Sequence, residues 1–514
     1  MGDLKETALQ NYNSLMDKVK EIIILDTAHS VIHWDMETKM PPKGIELRSL
    51  QLAQMSKIRH RMMVDTKTTK LLNQIIKDSI FDSLDEIQRR NVYLFKRLHD
   101  EATSLPETLV SDIAKQEAIT TDIWKKSKAS NDFLLFQPEL KKLLGLKKKA
   151  ATLLMDIKEV PTKYDALIDR FEHGIPSAEI SRVFDELRRG LTNIIGKCSA
   201  ISDSFDTSFL KRRVPIDIQR DISLSIANFL DYDVTTDNAR GRIDETEHPF
   251  TTGYYDDVRI TTHYYETDFP SAFYSTLHEG GHAIYEQNLN PIWKFQLVGA
   301  ACSSGFHESQ SRFVENIVGR SKEFWTHFLP KLNKLTGRTF SDITVNQFVK
   351  AVNRVKPSKI RIYADEVTYS LHIIIRFEIE RDLFADKINV EELPQVWNEK
   401  YEKYLGLDIE NDSEGVMQDT HWASGSFGYF PSYALGNIYS GQILATLTGE
   451  VPEWKAQISK GDFKEVKQWL TENIYMYGNR FDPSDFIRNI SGEEINVAPF
   501  LEYLNNKFSN IYGY

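Results

Sequence analysis

Two cysteines in 514 residues, Cys198 and Cys302, are too few for a disulfide framework and too far apart for zinc-ribbon spacing, so a reducing compartment is expected. The chain opens Met1-Gly2-Asp3-Leu4-Lys5-Glu6 without an apolar leader, and Glu6 stands where a myristoylation site has Ser or Thr; a cytoplasmic location follows as the expectation. No apolar run approaches the ~18 residues of a membrane span, since Ile22-Ile23-Ile24-Leu25 and Ile373-Ile374-Ile375 are both brief. That argues against a membrane partner. An excess of positive charge is missing too: Lys and Arg number 63 against 74 Asp and Glu, a net charge of -11. The run Lys147-Lys148-Lys149 has no interleaved aromatics and reads as a solvated helix face, so nucleic acid is not expected as a partner. Internal repeats and low-complexity linkers are likewise absent.

What remains is a chain that is 41% hydrophobic and 27% charged, suited to a large folded core. Most of it carries helix-forming residues with periodic apolar positions, punctuated at Pro41-Pro42, Pro106, Pro138, Pro161, Pro176, Pro431 and Pro452. The expected fold is mainly α, a single domain over 1–514, with a helical N-terminal part to about residue 200 and a metal-site part from about 201 onward. Between Pro249 and Tyr265 the composition turns to Thr, Tyr, Phe, Val and Ile, with Gly253 and Asp256-Asp257 as turn signals, predicting a short antiparallel strand pair. Such an edge either holds an extended peptide by main-chain hydrogen bonds or serves as scaffold.

The most informative stretch follows that pair. Thr276-Leu277-His278-Glu279-Gly280-Gly281-His282-Ala283-Ile284 is an H-E-x-x-H sequence, with Phe273, Leu277 and Ile284 giving a helical apolar face and Pro270 suited to a first turn. Four residues apart on a helix, the two imidazoles point at one ion, and Glu279 is close enough to reach a water there without ligating. These are the parts for metal-dependent amide hydrolysis; the alternative is a core helix with two satisfied histidines. Gly280 and Gly281 each cost ~1 kcal/mol in a helix relative to Ala. They imply room for a substrate or a packed backbone.

A catalytic zinc site needs a third ligand. The metzincin continuation is excluded, because Tyr285 and Asn288 stand where its Gly and His would fall. Glu286 lies on the stripe of His282, but three ligands along one helix cannot easily surround a tetrahedral ion, so it is a decoy or an outer group. Glu308 is the better candidate. It sits in a second helical pattern opening at Ser303-Ser304-Gly305, and His-His-Glu with an open fourth position is a catalytic arrangement. Its competing role is an i,i+4 pair with Arg312.

These residues resemble a known family. His278 to His282 followed by His307-Glu308-Ser309-Gln310 is similar to the carboxypeptidase Taq family of metallocarboxypeptidases, whose other motifs appear in order. They are His248-Pro249-Phe250, Asp257-Val258-Arg259-Ile260-Thr261, Ile360-Arg361-Ile362-Tyr363-Ala364-Asp365, and Gly415-Val416-Met417-Gln418-Asp419-Thr420-His421-Trp422. The likeness extends outward to Trp34-Asp35, Tyr164-Asp165-Ala166-Leu167 and Phe427-Gly428-Tyr429-Phe430-Pro431. The resemblance implies an almost wholly helical, saddle-shaped subunit with a deep groove, one zinc per subunit that cobalt can replace, a homodimer, and removal of C-terminal residues one at a time with broad tolerance.

Beside the resemblance, the chemistry assigns roles. Glu279 would take a proton from water and return it to the departing amine. A donor opposite the ion would stabilise the developing oxyanion, and His421, Tyr429 and Tyr433 are the candidates, each with a packing role as the alternative. A peptide with a free C-terminus presents a carboxylate, for which an arginine fork is the natural partner. Arg361 is the first choice and Arg259 the second, unless they pair internally with Asp365 and Asp257. The rival readings are a zinc oligopeptidase or endopeptidase and an inactive peptide-binding protein of the same fold. An aminopeptidase is less favoured, as no G-x-M-E-N element is present.

Overall fold

The computed structural model describes residues 2–514, with the backbone alone for residues 2–5 and 78. The first helix, Gly2–Thr38, buries Ala8, Tyr12, Leu15, Val19 and Ile22, an alternation of four- and three-residue steps that lays one apolar seam along it. Pro41 and Pro42 follow its end, and the chain returns as Ile45–Val64. With Thr66–Ile75 and Glu86–Ser104 these helices close a small apolar cluster of their own, from Ala8 to Phe95. A far larger cluster begins at Phe133 and runs to Tyr512. The apolar grouping therefore changes between Phe95 and Phe133. The helix Phe133–Lys158 sends Phe136, Leu140 and Leu144 into the same core as the metal-site half.

The anticipated strand pair is present as β2 (Thr251–Tyr254) and β3 (Asp257–Thr262), antiparallel with Tyr254 opposite Asp257. Gly253 in β2 has φ +138°, and a Cβ there would meet the Asp257 carbonyl oxygen at 2.1 Å, so glycine is required. The sheet is nonetheless mixed rather than antiparallel. A third strand, β1 (Gly241–Glu245), pairs parallel with β3, giving the order β1-β3-β2. Its polar sequence, Gly-Arg-Ile-Asp-Glu, lacks the β-branched enrichment that marks a strand, which is why composition did not show it.

Strand β3 packs on the helix Phe269–Gln287, which carries both histidines and has Pro270 in its first turn. That helix also packs on Ile216–Phe229 and on Ser304–Arg312, the helix bearing Glu308. The helix Phe430–Glu450, buried along most of its length, closes over Ser304–Arg312 from the other side. No helix among the described residues is long and apolar enough to cross a membrane.

Candidate metal centre and active site

Two glycines set the distance between the metal-site helices. A Cβ on Gly281 would lie 2.6 Å from the Gln310 carbonyl oxygen and 2.7 Å from the Ser311 Cα, so the helix Ser304–Arg312 rests directly on the backbone between the two histidines. On its far side, a Cβ on Gly436 would meet the Glu308 Cβ and Cγ at 2.8 Å. Of the two sequence alternatives for Gly280-Gly281, room for substrate or a packed backbone, the structure shows the packed backbone; Gly280 faces the Leu230 side chain.

Held this way, His278, His282 and Glu308 offer three ligand atoms that all lie within 4.8 Å of one another. Glu308 Oε2 is 3.7 Å from His278 Nε2 and 3.5 Å from His282 Nε2. Ligands about 2.0–2.1 Å from a tetrahedral ion stand roughly 3.3 Å apart, so the triad needs only small adjustment to hold one. The opposite nitrogen of each ring is engaged. His278 Nδ1 lies 2.9 Å from Glu315 Oε2, and His282 Nδ1 lies 2.5 Å from His307 Nδ1, whose Nε2 is 2.8 Å from Glu286 Oε1. Such outer partners orient imidazoles toward a metal. Glu286 contacts His307 rather than the triad, and Glu308, placed beside the two imidazoles, also makes the i,i+4 pair with Arg312, whose Nε donates to its Oε1 at 2.7 Å.

Glu315 was not singled out from the sequence, and His307 stood there only as a member of a motif, without a role. Glu315 lies in a π-helical turn, Phe313–Val318, that continues the helix bearing Glu308, and no α-helical spacing rule indicates where its side chain goes. Arg320 Nη2 donates to Glu315 Oε1 at 3.0 Å, and Arg312 Nη1 donates to its Oε2 at 3.3 Å, so buried charges alternate in sign away from the metal site.

This environment sets the protonation states. Burial, reinforced by His307, pushes the His282 imidazole down to about 3, leaving it neutral and able to ligate. At His278 burial also pushes down, but Glu308 and Glu315 outweigh it and the net movement is upward. Burial pushes Glu308 and Glu315 up, yet Arg312 and His278 hold both below the usual carboxylate range. Glu279 moves the other way: burial raises it despite the nearby His278 and a 2.6 Å hydrogen bond from Thr251 Oγ1 of β2 to its Oε2. The small sheet thereby fixes one oxygen of Glu279.

A cavity of about 1540 Å³ opens over this centre, lined by His278, Glu279, His282 and Glu308 and by Pro249, Phe250 and Thr251 at the edge strand. Arg97 and Leu98 of Glu86–Ser104 line its other wall, so it lies between the two apolar clusters. Tyr429 and Tyr433 also face it. His421 is outside the lining and sits behind, its Nε2 3.4 Å from the Tyr433 hydroxyl and its ring against Phe430. Burial pushes its imidazole down to about 4, so it is neutral there. Arg361 is outside the lining as well. Its partner is Asp419 and not Asp365: Nε and Nη2 donate to Asp419 Oδ1 at 3.1 and 2.8 Å, and Nη1 to the Tyr369 hydroxyl at 3.1 Å. Asp365 instead accepts from the backbone N–H groups of Lys356, Val367 and Thr368. Arg259 takes the internal pairing that was its alternative role. It pairs bidentately with Asp257, at 2.7 Å for each bond, and stacks on Trp34 away from the cavity.

The loop carrying His421 and Tyr429 is anchored by Glu380, a residue the sequence did not mark. Its carboxylate receives the Trp422 indole N–H at 2.8 Å, the Tyr164 hydroxyl at 2.8 Å and the Gly428 N–H at 2.9 Å. Burial raises this carboxyl to about 7. A folded-state value above the unfolded one means that its contribution to stability is fully present below about pH 4.5 and is lost as pH rises through 7. The loss is on the order of 3 kcal/mol once the pH is well past that value. Urea unfolding at pH 5 and pH 8 should accordingly show Glu380→Gln gaining on the unaltered protein as pH rises; an unchanged gap would mean that Glu380 is ionised throughout.

Comparison with known proteins shows the family to which the chain belongs. Residues 14–508 match the family model for carboxypeptidase Taq (M32) metallopeptidases. The chain is 39% identical to carboxypeptidase 1 of Bacillus subtilis, covering 96% of this chain and 97% of that one, and 36% identical to thermostable carboxypeptidase 1 of Thermus thermophilus, covering 98% and 99%. The crystal structure of an M32 carboxypeptidase from Deinococcus radiodurans superposes with a TM-score of 0.93 at 33% identity over 98% of this chain and 100% of that one. The class is therefore that of the metal-dependent peptide hydrolases. Within it, the chain belongs to the carboxypeptidase Taq (M32) family and is a metallocarboxypeptidase.

Proposed function

We propose that the protein is a zinc carboxypeptidase that releases amino acids singly from free C-termini with broad side-chain tolerance. The observation that carries this reading is the His278–His282–Glu308 triad at the floor of a large cavity with Glu279 beside it. Two imidazoles and one carboxylate, with an open direction toward the cavity, suit zinc, and cobalt accepts the same donors. An ion held there would supply Lewis-acid chemistry, polarising the scissile carbonyl and acidifying water. Glu279 Oε1 takes the water's proton while Oε2 stays fixed by Thr251, and the same oxygen then delivers it to the leaving amine. Tyr429 and Tyr433, whose hydroxyls burial keeps protonated, are the candidate donors to the oxyanion, with His421 supporting Tyr433 from behind.

Carboxylate recognition is assigned to Arg361. Arg361 and Arg376 share the carboxylate of Asp419, which leaves two guanidinium groups paired to one carboxylate next to Tyr433. The Arg361 guanidinium also retains N–H donors beyond those given to Asp419 and Tyr369. A substrate carboxylate would satisfy both. The unpaired, buried Cys198 and Cys302 suit a reducing compartment such as the cytoplasm, and a homodimer is the working assembly proposed.

Matched peptides ending in a free carboxylate or an amide test this reading. Mass analysis should show a ladder shortening from the free C-terminus, with the amide cleaved at least tenfold more slowly. Arg361→Lys, which keeps the charge but loses the planar fork, should narrow that ratio. Equal cleavage of the two peptides would point instead to an endopeptidase.

A further inference from the structure

The helix Ser304–Arg312, continued by the π-turn to Val318, supplies Glu308. Within the helix the backbone N–H groups of Ser304, Gly305 and Phe306 have no intrahelical acceptor. Phe306 N–H is satisfied locally by the Ser303 Oγ. The other two go to a distant segment. The Phe171 carbonyl accepts from Ser304 N–H at 3.0 Å, and Glu172 Oε1 accepts from Gly305 N–H.

Glu172 is wholly buried. Its Oε2 receives the Ser303 hydroxyl at 3.0 Å and the Tyr439 hydroxyl at 3.4 Å, and no cationic side chain contacts its carboxylate among the described residues. Gly305 is glycine for the same reason, since a Cβ there would lie 2.8 Å from Glu172 Oε1. Nothing in the proposed reaction uses this carboxylate, yet it grips the end of the helix one turn before the third ligand. Burial raises the Glu172 carboxyl to about 7, but charged or neutral its Oε1 remains an acceptor for the Gly305 N–H, and the positive end of the helix favours a carboxylate there.

We propose that Glu172 is a positioning residue for Glu308: by clamping the N-terminus of Ser304–Arg312 it sets where the third ligand's carboxylate stands relative to the two imidazoles. This rests on the metal reading above. Loss of the clamp lets the helix end shift against Gly281 and Gly436, the two contacts that fix its lateral position, and a displacement of a few tenths of an ångström at Glu308 weakens the metal without unfolding the core.

The test is metal affinity of the full-length apoprotein, measured by chelator competition with zinc and by cobalt absorption, alongside thermal unfolding without metal. Glu172→Ala is expected to weaken zinc 10- to 100-fold, the range typical of groups that orient a ligand. Glu172→Gln, which keeps an acceptor for Gly305 and fits the same space, should recover most of the affinity. If Glu172→Ala fails to fold, Gly305→Ala tests the same contact from the helix side and should weaken zinc similarly. Unchanged affinity in a folded Glu172→Ala or Gly305→Ala variant overturns the proposal, as does a Glu172→Gln variant as impaired as Glu172→Ala. Failure of the metal reading itself would look different: the unaltered protein would bind no zinc, or His278→Ala would bind it as well.

Discussion

Glu279→Gln should reduce kcat by about 10³-fold or more while leaving zinc affinity within a fewfold of the unaltered protein, since general acid–base groups contribute about 10² to 10⁴ in rate. The side chain is not placed to ligate; its neighbours on the helix are. Glutamine has nearly the same volume, and its amide oxygen can accept from Thr251 Oγ1 as Glu279 Oε2 does. The NH₂ group then occupies the other position, where it has no lone pair to receive a proton. The pH dependence follows from the same residue. Burial raises the Glu279 carboxyl, so the basic form is gained as pH rises through that elevated value, and kcat/KM of the unaltered enzyme should fall on the acid side along a single-proton limb. In Thr251→Val, which removes the hydroxyl that favours the ionised form, that limb should move to higher pH. Steady-state rates on one unblocked peptide, with metal content measured on the same samples, check both outcomes. A Glu279→Gln variant keeping a tenth of the activity would remove the residue from the proton path.

The parts of the site that follow from local periodicity are legible in the sequence. An i,i+4 histidine pair and a carboxylate one turn past a Ser-Ser-Gly break are local facts, and the helix context around Phe273, Leu277 and Ile284 is read by its period. The packing reason for Gly281 was only half legible. Glycine announces a close approach but not its partner, which proves to be the backbone at Gln310 and Ser311. Three features were beyond reach for distinct physical reasons. Strand β1 is polar and belongs to the sheet only through parallel pairing with β3. Glu315 reaches His278 from a π-turn, whose extra residue breaks the spacing from which helix faces are inferred. Arg361 meets Asp419 rather than Asp365 because pairing across a fold follows topology, and the nearer acid is already occupied with backbone N–H groups. Glu172 and Glu380 belong to the same category: isolated carboxylates whose partners are all distant in sequence.

Glu308→Gln should weaken zinc by more than 100-fold, the largest effect on the metal of any single isosteric change outside the two histidines. Orienting groups are worth 10- to 100-fold, and a ligand that loses its negative charge forfeits more than its orienter does. The substitution is chosen to avoid a confounding collapse. Arg312 is buried against Glu308 and Glu315, and truncating Glu308 to alanine would leave part of that cation without its partner, a penalty of about 3–5 kcal/mol for a buried pair. Glutamine keeps an oxygen for Arg312 Nε at the Oε1 position, so the fold retains that hydrogen bond while the metal loses its anion. Thermal unfolding separates the two effects. Zinc at 100 times its Kd stabilises the native state by about 2.7 kcal/mol, whereas the same free zinc acting on a site 100-fold weaker contributes only about 0.4 kcal/mol. The apoproteins should therefore unfold close together and the zinc-loaded forms far apart. A variant that unfolds early with or without zinc would place Glu308 among the structural residues; one that keeps the full zinc-induced shift would show that the third ligand lies elsewhere.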